Sequence, residues 1–369
     1  MKGAPSISSL RSTLLNSSST NPLDARFRAL FTLKGLACSS SISTSDKSSI
    51  LEAIGAAFSD DSALLKHEVA YVLGQIQDEQ AIAVLISVLQ QQEEHAMVRH
   101  EAAEALGAIG HPKALPVLRT YLQDGDVSVR ETCDLAIRKI EWDQSVEGRE
   151  DAKKRAKEGK TASFAPIDPA PALSSSQSLS ATISASRAVL TDSQAQLFQR
   201  YRAMFALRDA VHASRKEADE KGLSREERAT HEELAKKAIL ALADGLEDQS
   251  ALFRHEICFV FGELAHPASV PSMLRVLSDT SEHEMVRHEA AEALGAVAED
   301  ASEEGEGGDD EEEGEAAAAA GKCLKSVLGE LRRWAEDEEA PRVVRESCVV
   351  ALDELKYNND PTQFQRVEA

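Results

Sequence analysis

The sequence predicts an all-α fold, a solenoid of helical hairpins built as two duplicated halves. Three observations carry that prediction. The first is self-similarity: LLKHEVAYVLGQI (64–76) matches LFRHEICFVFGEL (252–264), and MVRHEAAEALGAI (97–109) matches MVRHEAAEALGAV (285–297) at all but the last position. Partners lie 188 residues apart, and the two segments within each half lie 33 residues apart. A fixed period of that length marks stacked supersecondary units. The second is apolar spacing. Val69, Val72, Leu73 and Ile76 fall at i, i+3, i+4 and i+7, as do Ala102, Ala105, Leu106 and Ile109. The third is composition: aromatics make up only 4% while Ala, Leu, Val and Glu are plentiful, which favours packed helices over sheets.

In chain order, residues 1–22 are Ser/Thr-rich and expected to form a disordered extension. The first half, 23–140, opens with RFRALFTLKGL (26–36), continues through the two His-Glu segments and closes with VRETCDLAIRKI (129–140). Preceding helices are visible in AIAVLISVLQQ (81–91) and ALPVLRTYLQD (114–124). Residues 141–192 turn from charged to Ser/Ala/Pro-rich and read as a flexible linker between the halves. The second half, 193–369, repeats the order with RYRAMFALRDA (200–210), SVPSMLRVLSD (269–279) and VRESCVVALDEL (344–355). It carries a charged insertion at 213–233 and an acidic, Gly-rich run at 299–321, expected to be a disordered loop. Two helices in roughly 30 residues, stacked on similar pairs, give eight HEAT-like hairpins, four per half. Gly74, Gly107, Gly262 and Gly295 recur late in the second helix, where they admit close packing or an early helix end.

Charge and motifs exclude several functions. A net charge of −22 argues against a nucleic-acid partner and suits a cationic ligand or a basic protein segment. Five scattered cysteines without a CxxC read as reduced, mostly buried thiols, placing the chain in the cytoplasm, with the nucleus as a further location. No apolar run approaches the ~20 residues of a membrane span, and the chain is expected to act as a monomer. No strand-linked GxGxxG, P-loop or GxSxG elbow is present. HExxH is broken by Tyr71, Glu104, Phe259 and Glu292 at its last position.

Four His-Glu pairs remain: His67-Glu68, His100-Glu101, His255-Glu256 and His288-Glu289. Each falls at the start of its unit's second helix. Successive second helices lie side by side, ~10 Å apart, so each half brings two imidazoles and two carboxylates to one surface. That is a 2-His-1-carboxylate set with one carboxylate to spare, suited to iron or manganese, whereas structural zinc favours thiolates. If the halves face each other, two such metals meet. A duplicated solenoid could repeat any dipeptide by descent, but the outer units of each half share the repeat and lack the pair. Periodicity places both glutamates of a half near the site and does not choose between them. His95, His111, His266 and His283 fall between helices and read as structural. Glu104 and Glu292 either support the site or are exposed.

The doubled His-Glu arrangement, in LLKHEVAYVLGQ and VRHEAAEALGAIG, resembles the deoxyhypusine hydroxylase family over roughly 23–140 and 193–357. The resemblance implies a di-iron monooxygenase that uses O₂ to hydroxylate deoxyhypusine on eukaryotic translation initiation factor 5A, giving hypusine, with no catalytic residue beyond the iron centre. It implies that His67, His100 and Glu101 hold one iron and His255, His288 and Glu289 the other. Glu68 and Glu256 would bind the amines of the substrate arm, and Met97 and Met285 would contact it or lie in the core. A polyamine arm needs carboxylates in its pocket, and an unactivated C–H bond needs a strong oxidant, so the physical reading agrees. The competing readings are a HEAT scaffold without catalysis and a bilin-lyase-like repeat protein.

Overall fold

A computed structural model describes residues 5–157, 167–175, 177–218, 222–303 and 311–358; among them are seventeen α-helices and no strand. The chain divides into two units, 1–171 and 172–369. In the first, α1 (Ile7–Leu14) pairs with α2 (Leu23–Ala37), and α3 (Thr44–Ala56) with α4 (Ala63–Ile76). Likewise α5 (Ile82–Gln90) pairs with α6 (Ala96–Ile109), and α7 (Leu115–Thr120) with α8 (Val127–Gln144); α9 (Val146–Lys157) follows. The second members pack in sequence, α2 on α4, α4 on α6 and α6 on α8.

The second unit repeats this with α10 (Leu179–Leu190) on α11 (Leu197–Ala218) and α12 (Arg225–Ala243) beside α13 (Ala251–Leu264). Then come α14 (Val270–Ser278) on α15 (Glu284–Glu303) and α16 (Glu311–Glu336) on α17 (Arg342–Asn358). Here α13 packs on α11 and α15, and α15 packs on α17. The eight hairpins, four per half, match the solenoid read from the sequence. The 213–233 insertion lengthens α11 and α12, so α11 has 22 residues where α2 has 15.

Local chemistry sets the helix ends. The Ser62 and Ser250 hydroxyls accept the Leu65 and Phe253 N–H groups, each at 3.0 Å, and start the two His-Glu helices α4 and α13. His95 Nδ1 accepts the Met97 N–H at 3.3 Å, and His283 Nδ1 accepts that of Met285 at 3.2 Å, so both imidazoles cap. His111 and His266 do the same for Lys113 and Ala268, as a structural role requires.

A cation precedes every histidine of the four pairs and ties one hairpin to the next. Arg99 Nε donates to the Leu89 carbonyl at 3.1 Å, while its other nitrogens meet Asp124 at 3.2 and 2.5 Å. Lys66 meets Glu94 at 2.6 Å and Arg254 meets Glu282 at 2.5 Å. Arg287 Nε reaches the Leu277 carbonyl at 3.0 Å, and its guanidinium lies 4.3 Å from the Trp334 ring centroid. The outer units keep the arginine: Arg26 and Arg200 donate to Leu14 and Leu190 carbonyls at 2.9 and 3.0 Å.

The recurrent glycines serve close packing, not helix ends. A Cβ on Gly74 would sit 2.8 Å from the Ala105 Cα, and one on Gly107 would sit 2.9 Å from the Ala136 Cβ. Gly262 and Gly295 meet Ala293 and Ala351 in the same way, at 3.2 and 2.9 Å. The backbones of successive second helices therefore touch with no side chain between them, which fixes the spacing of the histidines they carry.

Three expected irregular segments contain helices. Residues 7–14, expected in a disordered extension, form α1, the first helix of the first hairpin, capped by Ser6 and burying Leu10 and Leu14. In the expected linker, 179–190 form α10, capped by Ser178 and burying Ile183, Ser186 and Leu190. Serine content hid both helices: Ser serves as cap and as small buried residue, so few apolar positions suffice. The rest of that segment holds α9 and the stretch 167–175, whose Ile167 N–H donates to Gln75 Oε1 at 3.1 Å; 158–166 and 176 lie outside the described residues. The acidic run is helical to Glu303 and again from Glu311, since Glu and Ala are strong helix formers; 304–310 lie outside the described residues.

Candidate metal centre

Each His-Glu pair lies one turn into its helix, and α4, α6, α13 and α15 carry one pair each. All eight residues are buried, with no member more than 7% exposed. Buried carboxylates and imidazoles at this density require compensation by one another or by a cation.

In the first unit, single donor atoms of His67, His100 and Glu101 lie within 4.8 Å of one another. His67 Nε2 is 3.2 Å from Glu101 Oε2, and the rings of His67 and His100 are 5.5 Å apart. The opposite nitrogen of His67, Nδ1, is 3.1 Å from Glu68 Oε1. Burial works against a charged His67, but the Glu101 and Glu68 carboxylates outweigh it and hold the imidazole well above its ordinary value. Glu104, one turn beyond Glu101, is pushed up to about 8 by burial and by the Glu101 charge.

In the second unit, His255 Nε2 is 3.2 Å from Glu289 Oε2, and His288 Nε2 is 3.8 Å from the same oxygen. The two rings are 5.3 Å apart. Donor atoms of His288, Glu289 and Glu292 also lie within 4.8 Å of one another. His288 Nδ1 is 3.4 Å from Glu292 Oε1, and the Ser347 hydroxyl donates to that oxygen at 3.1 Å.

The six residues predicted to bind metal therefore gather as two sets of three, one per unit. Nitrogen and oxygen donors make up each set, which suits iron; the buried thiols of Cys133, Cys258 and Cys348 stay neutral because burial pushes them up, to about 12 for Cys133 and Cys348. Glu68 and Glu256 are buried beside their histidines, and Met97 and Met285 are buried at the first turns of α6 and α15. The outer units lack the pair. Phe27 and Tyr201 stand at the histidine position of α2 and α11, and Glu131 and Glu346 stand there in α8 and α17.

Sequence reasoning missed two neighbours. Lys34 on α2 is held below its ordinary value by burial, against the pull of Cys38 and Glu68, and its ammonium lies 5.2 Å from the Tyr71 ring centroid. Ser347 stands at the position that Glu289 occupies one hairpin earlier; it reads as an ordinary helix residue until α15 and α17 are placed together.

HEAT repeats match residues 51–138 and 239–304. A deoxyhypusine hydroxylase from Mycosarcoma maydis is 52% identical, covering 97% of each chain. One from Drosophila melanogaster is 42% identical over 93% of this chain and 90% of its own. This chain belongs to the deoxyhypusine hydroxylase family. The solved structure of human deoxyhypusine hydroxylase in complex with glycerol is 40% identical and covers 95% of this chain and 96% of its own, with a TM-score of 0.69. The chain is thus an enzyme that hydroxylates deoxyhypusine, which sets aside the non-catalytic scaffold. No helix among the described residues is long and apolar enough to cross a membrane.

Proposed function

We propose that this enzyme is a di-iron, O₂-dependent monooxygenase acting on the deoxyhypusine side chain of eukaryotic translation initiation factor 5A. The observation that carries the reading is the buried convergence of His67, His100 and Glu101, repeated in kind by His255, His288 and Glu289. Each set would hold one iron, and bound iron would supply the oxidising power that a C–H bond demands.

The chain's own residues do the rest. Glu101 and Glu289 each place one carboxylate oxygen against imidazole Nε2 atoms, so charge and ligand geometry are fixed together. Glu68 and Glu256 hold the ammonium groups of the substrate arm. A half-buried ammonium already lies within electrostatic reach of Glu68, that of Lys34, and supports the fit of a cation there. Burial of the histidines keeps bulk water from the reacting carbon and strengthens each of these contacts.

Iron analysis of purified protein together with hydroxylation of deoxyhypusine-bearing protein substrate tests the reading. Two irons per chain and iron-dependent turnover are expected. Zinc alone, or turnover unchanged after iron is stripped, would overturn it.

A further inference from the structure

We infer that Glu292, braced by Ser347, is a positioning residue that fixes the ring of His288. Nothing in the repeat pattern requires this role, because the same dipeptide spacing in the first half places Glu104 where Glu292 stands. The geometry separates the two. Glu292 Oε1 receives two contacts, from His288 Nδ1 at 3.4 Å and from the Ser347 hydroxyl at 3.1 Å. The Ser347 hydroxyl donates to that oxygen, and a carboxylate so placed selects the tautomer that carries the imidazole proton on Nδ1. Nε2 is then the lone-pair nitrogen, and it is the one turned toward Glu289 Oε2, at 3.8 Å. Both His288 and Ser347 are fully buried, while the Glu292 side chain between them is 26% exposed.

The first half differs at the position of Ser347. Thr132 on α8 stands where Ser347 stands on α17, but its hydroxyl turns back to the Ser128 carbonyl at 2.8 Å. In that half His67 Nδ1 lies 3.1 Å from Glu68 Oε1. The ring of His67 is thus braced by Glu68 and that of His288 by Glu292. A carboxylate on the far nitrogen of a ligating histidine fixes its tautomer and raises its basicity, and losing such a partner commonly costs ~10–100-fold in metal affinity.

Only the metal arm of the test rests on the proposed iron function. In metal-free protein in mildly alkaline buffer, nitrogen-15 NMR should find the His288 proton on Nδ1. Glu292→Ala should release it to a mixture with Nε2, Glu292→Gln should restore most of the wild-type tautomer through its amide carbonyl, and Ser347→Ala should shift it slightly. In iron titrations, Glu292→Ala should weaken the second half by ~10–100-fold and leave the first half as internal control. An unchanged tautomer in Glu292→Ala overturns the inference even if iron is lost, since Glu292 would then be a ligand. If wild-type protein takes up no iron, the proposed function fails, and the tautomer measurement still decides this point.

Discussion

The two halves carry the same four-residue message, yet they hold it differently. In the first, three donor atoms of His67, His100 and Glu101 close to within 4.8 Å, and Glu68 lies against the back of His67. In the second, Glu289 meets both histidines and the bracing comes from Glu292 and Ser347, one turn and one hairpin away. Duplication therefore preserved the His-Glu positions, which are set by helix spacing, while the hydroxyl one hairpin on diverged, Ser347 meeting Glu292 and Thr132 turning to its own helix. Residue type at a repeat position foretells where a group will sit better than what it will touch.

The largest expected effects come from the histidines themselves. His67→Ala should empty the first half and His288→Ala the second, each abolishing hydroxylation while half the iron remains, as metal analysis of each variant would show. Retained activity in either would break the equivalence of the half-sites.

Next is the inter-hairpin arginine. Arg99 meets the Asp124 carboxylate, whereas Arg287 stacks on Trp334. Burial pushes the Asp124 carboxyl up, but its bonds to Arg99 and to the Asp126 N–H prevail and hold it below the usual range. A carboxyl so depressed contributes stability that is complete above its unfolded value, about 4, and is lost as pH falls through the lower folded value. Asp124→Asn should cost about 3 kcal/mol near neutrality and flatten that acid limb in denaturant melts.

Glu68→Ala should retain iron and weaken substrate binding by about 10–100-fold, the loss of one charge-assisted contact, read as KM against kcat. Loss of iron from that variant would make Glu68 a ligand instead. The smallest difference is in packing. Gly74→Ala drives a methyl to 2.8 Å from Ala105, while Gly262→Ala reaches only 3.2 Å from Ala293. The first should cost about 1–3 kcal/mol and the second less, so thermal melts of the pair measure how tightly each half is clasped.

Much of this was legible in the sequence. Eight hairpins followed from a 33-residue spacing and an apolar period, and the eight buried donors followed from the dipeptide confined to the middle units, with the choice of six among them coming from the family resemblance. What stayed hidden has physical reasons. Helices α1 and α10 are serine-rich and bury few side chains, so their periodicity is faint. Glu292 was readable only as a supporting or an exposed group, and Ser347 and Lys34 act across helices 55 or 34 residues apart in sequence, where no local pattern reports contacts. The glycines were readable as close packing or as helix ends, and only the neighbouring alanines decide.

The central claim is that each half builds its own iron site from two histidines and one glutamate. Iron counted per chain in wild type, His67→Ala, His288→Ala and the double variant tests it most directly. The expected series is about two, one, one and none, in keeping with one three-ligand site per half. Two irons retained in either single variant, or zinc in place of iron throughout, would contradict it.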